Sequence, residues 1–100
     1  RMLRICWINS MAGSPLFASK FRKHVTKRIA PFSSLRKKFD QRITLFLDNP
    51  KNPLLCDHAL KGDQSGRRAF SITGDIRVIY KQEDNTITFL DVGTHNQVYK

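Results

Sequence analysis

The residues with the clearest chemical capacity lie in the second half of the 100-residue chain: His58, Asp75, Arg77 and His95, followed by Tyr99. Histidine takes up or releases a proton near neutral pH, so two of them can serve one reaction as acceptor and donor. Arginine offers a planar fork that meets two phosphate oxygens and stabilises charge growing on them. Such a set suits cleavage of an RNA phosphodiester by its own 2′-hydroxyl, which needs a base, an acid for the leaving oxygen and positive charge on the phosphate, and no metal. Each residue also has a plainer use. His58 could cap a loop backbone, Asp75 is a good turn residue, Arg77 could pair with Asp91 across neighbouring strands, and Tyr80 has the parity of a core residue. Gly62, Gly66, Gly74 and Gly93 most simply serve turns.

The elements that must position these residues can be read from periodicity. Residues 67–72, 76–81 and 86–91 read as strands, with turns at 73–75 and 83–85, which together make an antiparallel meander. Alternation sends Phe70 and Ile72 to one side, and likewise Ile76, Val78 and Tyr80; Ser71, Asp75, Arg77 and Ile79 fall on the opposite, open side. His58 lies in a loop over residues 50–66 and His95 just past the last strand, so a curved meander lets them converge. Upstream, residues 3–8 read as a short first strand. Ser14 and Pro15 resemble a helix start, and Phe17, Phe21, Val25 and Ile29 recur every four residues on one face. His24, beside that stripe, reads as a helix-surface or packing histidine. Pro31 breaks the helix; Ser33 or Ser34 can cap a second one carrying Leu35, Phe39, Ile43, Phe46 and Leu47, which stops at Asp48, Asn49 and Pro50. The result is a helical hairpin whose apolar stripes need a partner surface.

A chain of this length is expected to form one domain over residues 1–100. Its formal charge of +10 is uneven: residues 1–50 carry 11 Lys and Arg against 2 Asp and Glu, and residues 51–100 carry 7 against 6. The basic half would attract a polyanion or an acidic protein, or serve as a solvated face. Arg36, Lys37 and Lys38 on the outer face of the second helix, with Lys61, Arg67 and Arg68 beyond it, are the candidates for phosphate contact. Cys6 and Cys56 match no zinc or redox spacing and read as free thiols. The apolar patch near the N-terminus is too short for a signal peptide or a membrane span, so a cytoplasmic location is expected.

Three motifs in order carry a family resemblance: His58-Ala59-Leu60-Lys61-Gly62, Gly74-Asp75-Ile76-Arg77-Val78-Ile79-Tyr80, and Gly93-Thr94-His95 with a terminal Val98-Tyr99. The stretch resembles the RelE/ParE toxin superfamily, and within it the YafQ-like bacterial ribonuclease branch. The resemblance implies an α+β fold of order β-α-α-β-β-β, with the hairpin on one face of a mixed, mainly antiparallel four-stranded sheet. It implies a type II toxin: a metal-independent, cofactor-free endoribonuclease that cuts mRNA, on the ribosome, and is silenced by a cognate antitoxin, acidic and partly disordered. By resemblance His58 and His95 match the family's histidines, with His95 as general acid or base; Asp75 orients or assists, Arg77 contacts the scissile phosphate, and Tyr99 stacks on a base or shares in proton transfer. Two positions depart. Ser71 stands where YafQ-like members usually have a further histidine, and Asp91 where they have an arginine two residues before Gly-Thr-His. A ParE-like gyrase inhibitor and a degenerate antitoxin-binding relative are the alternatives; both histidines count against the first, and Ser71 and Asp91 favour the second.

Overall fold

The structure, a computed structural model, describes residues 15–83 and 86–98. The first strand expected at residues 3–8, Cys6, the Ser14 cap, the tip of the 83–85 turn and Tyr99 lie outside the described residues.

The chain enters as a two-residue strand, β1 (Leu16–Phe17), which runs parallel to a later strand with Phe17 opposite Phe89. Helix α1 (Ser19–Arg28) follows. Phe17, expected in the helix, precedes it. It shares the four-residue spacing because it packs into the same core, with ring centroids 5.8 Å from Phe21 and 5.6 Å from Phe89. Phe21 and Val25 are buried on one face of α1, and Lys27 and Arg28 occupy its last turn, where positive charge complements the helix dipole. The chain reverses at Pro31, and the Arg36 guanidinium donates to the Ala30 carbonyl at 2.7 Å, closing a C-terminal group of α1. Helix α2 (Ser33–Asp48) buries Phe39, Ile43 and Phe46. Its N-cap is Phe32, with no side-chain cap, so neither Ser33 nor Ser34 has the expected capping role.

A 3₁₀ turn at Pro53–Leu55, capped by the Asn52 side chain, buries Leu55 and leads to a second two-residue strand, β2 (His58–Ala59). The segment expected as a loop thus carries a strand. A further 3₁₀ turn spans Gly62–Gln64, and Gly62 and Gly66 flank the loop with φ of 65° and 91°, a left-handed backbone suited to glycine. Strands β3 (Arg68–Ser71), β4 (Ile76–Glu83) and β5 (Thr86–Thr94) form the expected antiparallel meander. Among the described residues the sheet has five strands in the order β1-β5-β4-β3-β2, mixed because of these only β1 runs parallel to its neighbour. The α+β class holds; β1 and β2 are both additional to the three strands expected within the described residues, and the strand expected at residues 3–8 is not among them.

The sheet buries both faces, unequally. On the helix side Phe70, Ile72, Val78, Tyr80, Phe89 and Val92 meet α1 and α2. Phe46 stands at the centre, stacked on Phe70 at 4.3 Å and edge-on to Tyr80 at 4.7 Å. Phe89 and Val92 could not share a face in a regular strand. A bulge resolves this: Ile79 pairs with Asp91 but Tyr80 with Phe89, leaving Leu90 as the extra residue. On the opposite face Ala69, Ile79 and Val98 form a smaller cluster with Leu60 and Leu90. Ile79, expected on an open side, is 1% exposed because α3 (His95–Val98) and the 60s loop cover it. No helix among the described residues is long and apolar enough to cross a membrane.

Phe46 should be the costliest single truncation in this core. Phe46→Ala is expected to destabilise the protein by about 3–5 kcal/mol, measured as a shift of the urea midpoint at unchanged slope; a loss below about 1 kcal/mol would mean that the ring stack is not what holds α2 to the sheet.

Candidate active site

The covered side of the sheet ends in a cleft of about 420 Å³ lined by His58, Ala59, Leu60, Lys61, Gln64 and His95. Two histidines far apart in sequence therefore line one cleft. Their meeting follows from register. His58 lies opposite Ala69, Ala69 opposite Ile79, and Ile79 opposite Asp91, so His58 projects on the face of the minor cluster. One step along, Ser71 lies opposite Arg77 and Arg77 opposite Gly93. Two strand residues span roughly 6.6 Å, so Arg77 lies close to the row that bears His58.

His95 is positioned by local chemistry that the sequence states openly. The Thr94 amide donates to Gln97 Oε1 at 2.7 Å, and the Gln97 amide donates to Thr94 Oγ1 at 3.3 Å. This reciprocal pair is a capping box, which starts α3 with His95 as its first residue. The His95 amide also donates to the Asp75 carbonyl at 3.2 Å. Gly93 serves close approach, not a turn: a Cβ there would sit 2.5 Å from Arg28 Nη1 and 2.6 Å from Gln97 Oε1. Gly74 has no positive φ either, so among the described glycines only Gly62 and Gly66 use the left-handed backbone.

His58 has a defined tautomer. Its Nδ1 lies 2.8 Å from the Cys56 carbonyl, which can only accept, so Nδ1 carries the proton and Nε2 of the neutral ring is the acceptor. Lys61 beside it adds positive charge to the cleft. Asp75 and Arg77 do not line that cleft. Asp75 is exposed in a turn whose amides, its own and that of Ile76, donate to Thr73 Oγ1 at 3.2 and 3.0 Å. Arg77 Nη1 donates to Ser71 Oγ at 3.0 Å and to the carbonyls of Thr73 and Gly74 at 3.3 and 3.1 Å. The guanidinium's other nitrogens carry three more N–H donors. Ser71, expected to be open, is buried under this contact at 9% exposure, so a larger side chain there would displace Arg77.

The remaining candidates separate. Arg67 donates to Gln64 Oε1 at 3.0 Å, and Gln64 in turn donates to the Val98 carbonyl at 3.0 Å, tying the 60s loop to α3. Arg36, Lys37 and Lys38 sit on α2, across the sheet from the cleft. Arg68, expected at a phosphate, is committed elsewhere: its guanidinium embraces Asp57, with Nη2 to Oδ2 at 3.0 Å, and Tyr80 donates its hydroxyl to Asp57 Oδ1 at 2.7 Å. Burial, and then the bond to Asp57, push the Tyr80 phenol well above its ordinary pKa, so it stays a donor. Sequence reasoning misses this group, yet the sequence holds a signal. Arg68 shares strand parity with Phe70 and Ile72, and an arginine at a core position needs a carboxylate partner.

Asp91 does not pair with Arg77. His24 Nδ1 donates to it at 2.5 Å, and Lys20 and Arg28 stand at 3.6 and 3.9 Å. His24 thus has a structural use, linking α1 to β5. Among the described residues no three His, Cys, Asp or Glu side chains converge as metal ligands.

The model of the YafQ family, described as the bacterial toxin of a type II toxin-antitoxin system, matches residues 14–100. No curated protein sequence matches the chain significantly. Among solved structures, YafQ from E. coli strain BL21(DE3) superposes with a TM-score of 0.75 at 24% identity, covering 87% of this chain and 98% of that one. A copper-bound mutant toxin from Helicobacter pylori gives 0.69 at 27% identity over 84% and 96% of the two chains. The E. coli DinJ-YafQ complex gives 0.73 at 24% identity over 87% and 98%. A family match over this much of the chain, together with a fold shared along nearly the whole of these toxins, places the protein in the YafQ family of type II toxin-antitoxin toxins.

Proposed function

We propose that this toxin is a metal-independent endoribonuclease that cuts mRNA on the ribosome, and that a cognate acidic antitoxin silences it. The observation that carries the reading is the shared cleft: two imidazoles and Lys61 face a space of about 420 Å³, within the range of about 300–1,000 Å³ usual for small-molecule sites and adequate for a nucleotide. His58 Nε2 takes the proton of the 2′-hydroxyl, whose oxygen then bonds to phosphorus. The bond from phosphorus to the 5′-oxygen breaks, and His95 gives that oxygen a proton. The products are a 2′,3′-cyclic phosphate and a 5′-hydroxyl. Arg77 and Lys61 stabilise charge on the phosphate, Asp75 holds the approach of α3 through its carbonyl, and Tyr99 stacks on a base. Arg67 beside the cleft and Arg36, Lys37 and Lys38 on α2 contact more distant phosphates.

The antitoxin is supported by family membership and by the solved DinJ-YafQ complex of a protein with the same fold. The chain's net charge of +10 favours an acidic partner. A second reading, a relative that binds antitoxin but no longer cuts RNA, is favoured by the departures at Ser71 and Asp91. Asp91 stands where the family pattern has an arginine, and it is already held by Lys20, His24 and Arg28.

His95→Ala should abolish growth arrest and slow single-turnover cleavage of ribosome-bound mRNA by roughly 10²–10⁴, the usual loss when an acid or base is removed. The exposed side chain makes a folding defect unexpected; arrest at the parental level would remove His95 from the chemistry.

Replacing Arg36, Lys37 and Lys38 with Gln should weaken ribosome binding and lower its salt dependence, by about 0.7–0.9 in slope for each phosphate that is no longer neutralised. The cleavage step in preformed complexes should not change. An unaltered slope would leave Arg36 with its hairpin bond alone and assign the two lysines to solubility or to the antitoxin.

A further inference from the structure

His58 is exposed, and the strand that carries it is only two residues long, at the outer edge of the sheet. Edge segments with so few ladder bonds open readily. Something else must fix the ring. The four residues from Leu55 to His58 alternate inward and outward: Leu55 is fully buried, Cys56 exposed, Asp57 14% exposed at its side chain, and His58 exposed. The inward pair are anchors of different kinds. Leu55 belongs to the main core, whereas Asp57 is gripped from β3 and β4.

That grip is complete for a carboxylate. Oδ1 accepts from Tyr80 at 2.7 Å, and the Arg68 fork approaches both oxygens, at 3.0 Å from Nη2 and at 3.3 and 3.4 Å from Nε. Arg68 and Tyr80 are direct cross-strand partners, so their spacing is set by the β3–β4 ladder. The Tyr80 ring is itself 2% exposed and packed on Phe46. A chain of rigid contacts therefore runs from the core to the residue next to His58. On the other side Cys56 has φ of 50°, a left-handed backbone found at no other non-glycine among the described residues. This conformation is unfavourable for a residue with a Cβ and persists where its neighbours are held. It aims the Cys56 carbonyl at His58 Nδ1.

We propose that Asp57, clamped by Arg68 and Tyr80, is the positioning residue of the cleft: it holds the Cys56 carbonyl against His58 Nδ1 and so presents Nε2 as the proton acceptor. The inference rests on the reading of His58 as a base. None of the three clamp residues touches the substrate. They act on the ring through the backbone of residues 56–58, and without them the imidazole rotates and exchanges tautomers.

The test uses Tyr80→Phe, which keeps the ring in the core and removes only the hydroxyl, and Arg68→Gln, at a partly exposed side chain. Ring-nitrogen NMR shifts at neutral pH report the tautomer of His58 without any need for activity. Both variants should show a mixture of tautomers where the parent shows protonated Nδ1. Both should also slow single-turnover cleavage roughly 10- to 100-fold, the scale of a misplaced reacting group, at unchanged ribosome affinity. Arg68→Lys, which keeps the charge but not the fork, should recover part of the rate. A parental His58 tautomer in both folded variants would overturn the proposal. His58→Gln separates the two ideas: if it cleaves like the parent, His58 is no base, while the NMR result still decides whether Asp57 sets its ring.

Discussion

The pairing of β4 with β5, and the bulge within it, is the constraint on which the rest of the structure depends. One extra residue at Leu90 shifts the register from Ile79 opposite Asp91 to Tyr80 opposite Phe89. Before the bulge β5 gives Phe89 to the helices; after it Val92 takes that side, and both join one core. The same shift brings Thr94 opposite Ile76, so that His95 starts its helix against the Asp75 carbonyl. Without the extra residue, either Phe89 or Val92 would face the wrong side. The bulge therefore serves the core and the cleft together, in keeping with the tendency of bulges to lie beside functional sites.

The charges have separate uses. Asp57 and Asp91 are both largely buried acids with several cationic or hydroxyl partners, but they hold different things. Asp91 joins α1 to the end of β5, through His24, Lys20 and Arg28. Asp57 joins the β2 edge to the β3–β4 ladder. Buried carboxylates of this kind contribute little net stability against an apolar replacement, yet removing one partner strands the other. What they supply here is placement. Two histidines illustrate the contrast: His24 turns Nδ1 to a carboxylate and is tied into the fold, whereas His58 turns Nδ1 to a carbonyl and lines the cleft.

Much of this is legible in the sequence where a long periodic pattern exists. The four-residue spacing of α1 and α2 and the alternation of β3 to β5 point to the hairpin and the meander, because burial on one face is what those periods record. Phe17 deceives, since a residue preceding a helix can fill the same core without being helical. The strand at His58 leaves no period because it has two residues, and its hold on the sheet comes from side chains. The capping box at Thr94 and Gln97 is visible but hidden within a family motif. Arg68 misleads because a basic residue beside Arg67 looks like surface, although its parity with Phe70 places it inward. For the candidate site, motifs single out His58 and His95, and the register of the sheet explains why they meet. Ser71 is expected to be open because alternation cannot foresee that Arg77 folds over it.

The most direct measurement of the central claim is the chemistry of the cut ends. If the RNA's own 2′-hydroxyl is activated between His58 and His95, mRNA fragments from a translating extract should end in a 2′,3′-cyclic phosphate, or the 3′-phosphate that its hydrolysis leaves. The downstream fragments should begin with a 5′-hydroxyl, and a 2′-deoxy nucleotide at the cut should block the reaction. Downstream fragments beginning with a 5′-phosphate, or cutting that is indifferent to the 2′-hydroxyl, would contradict the account.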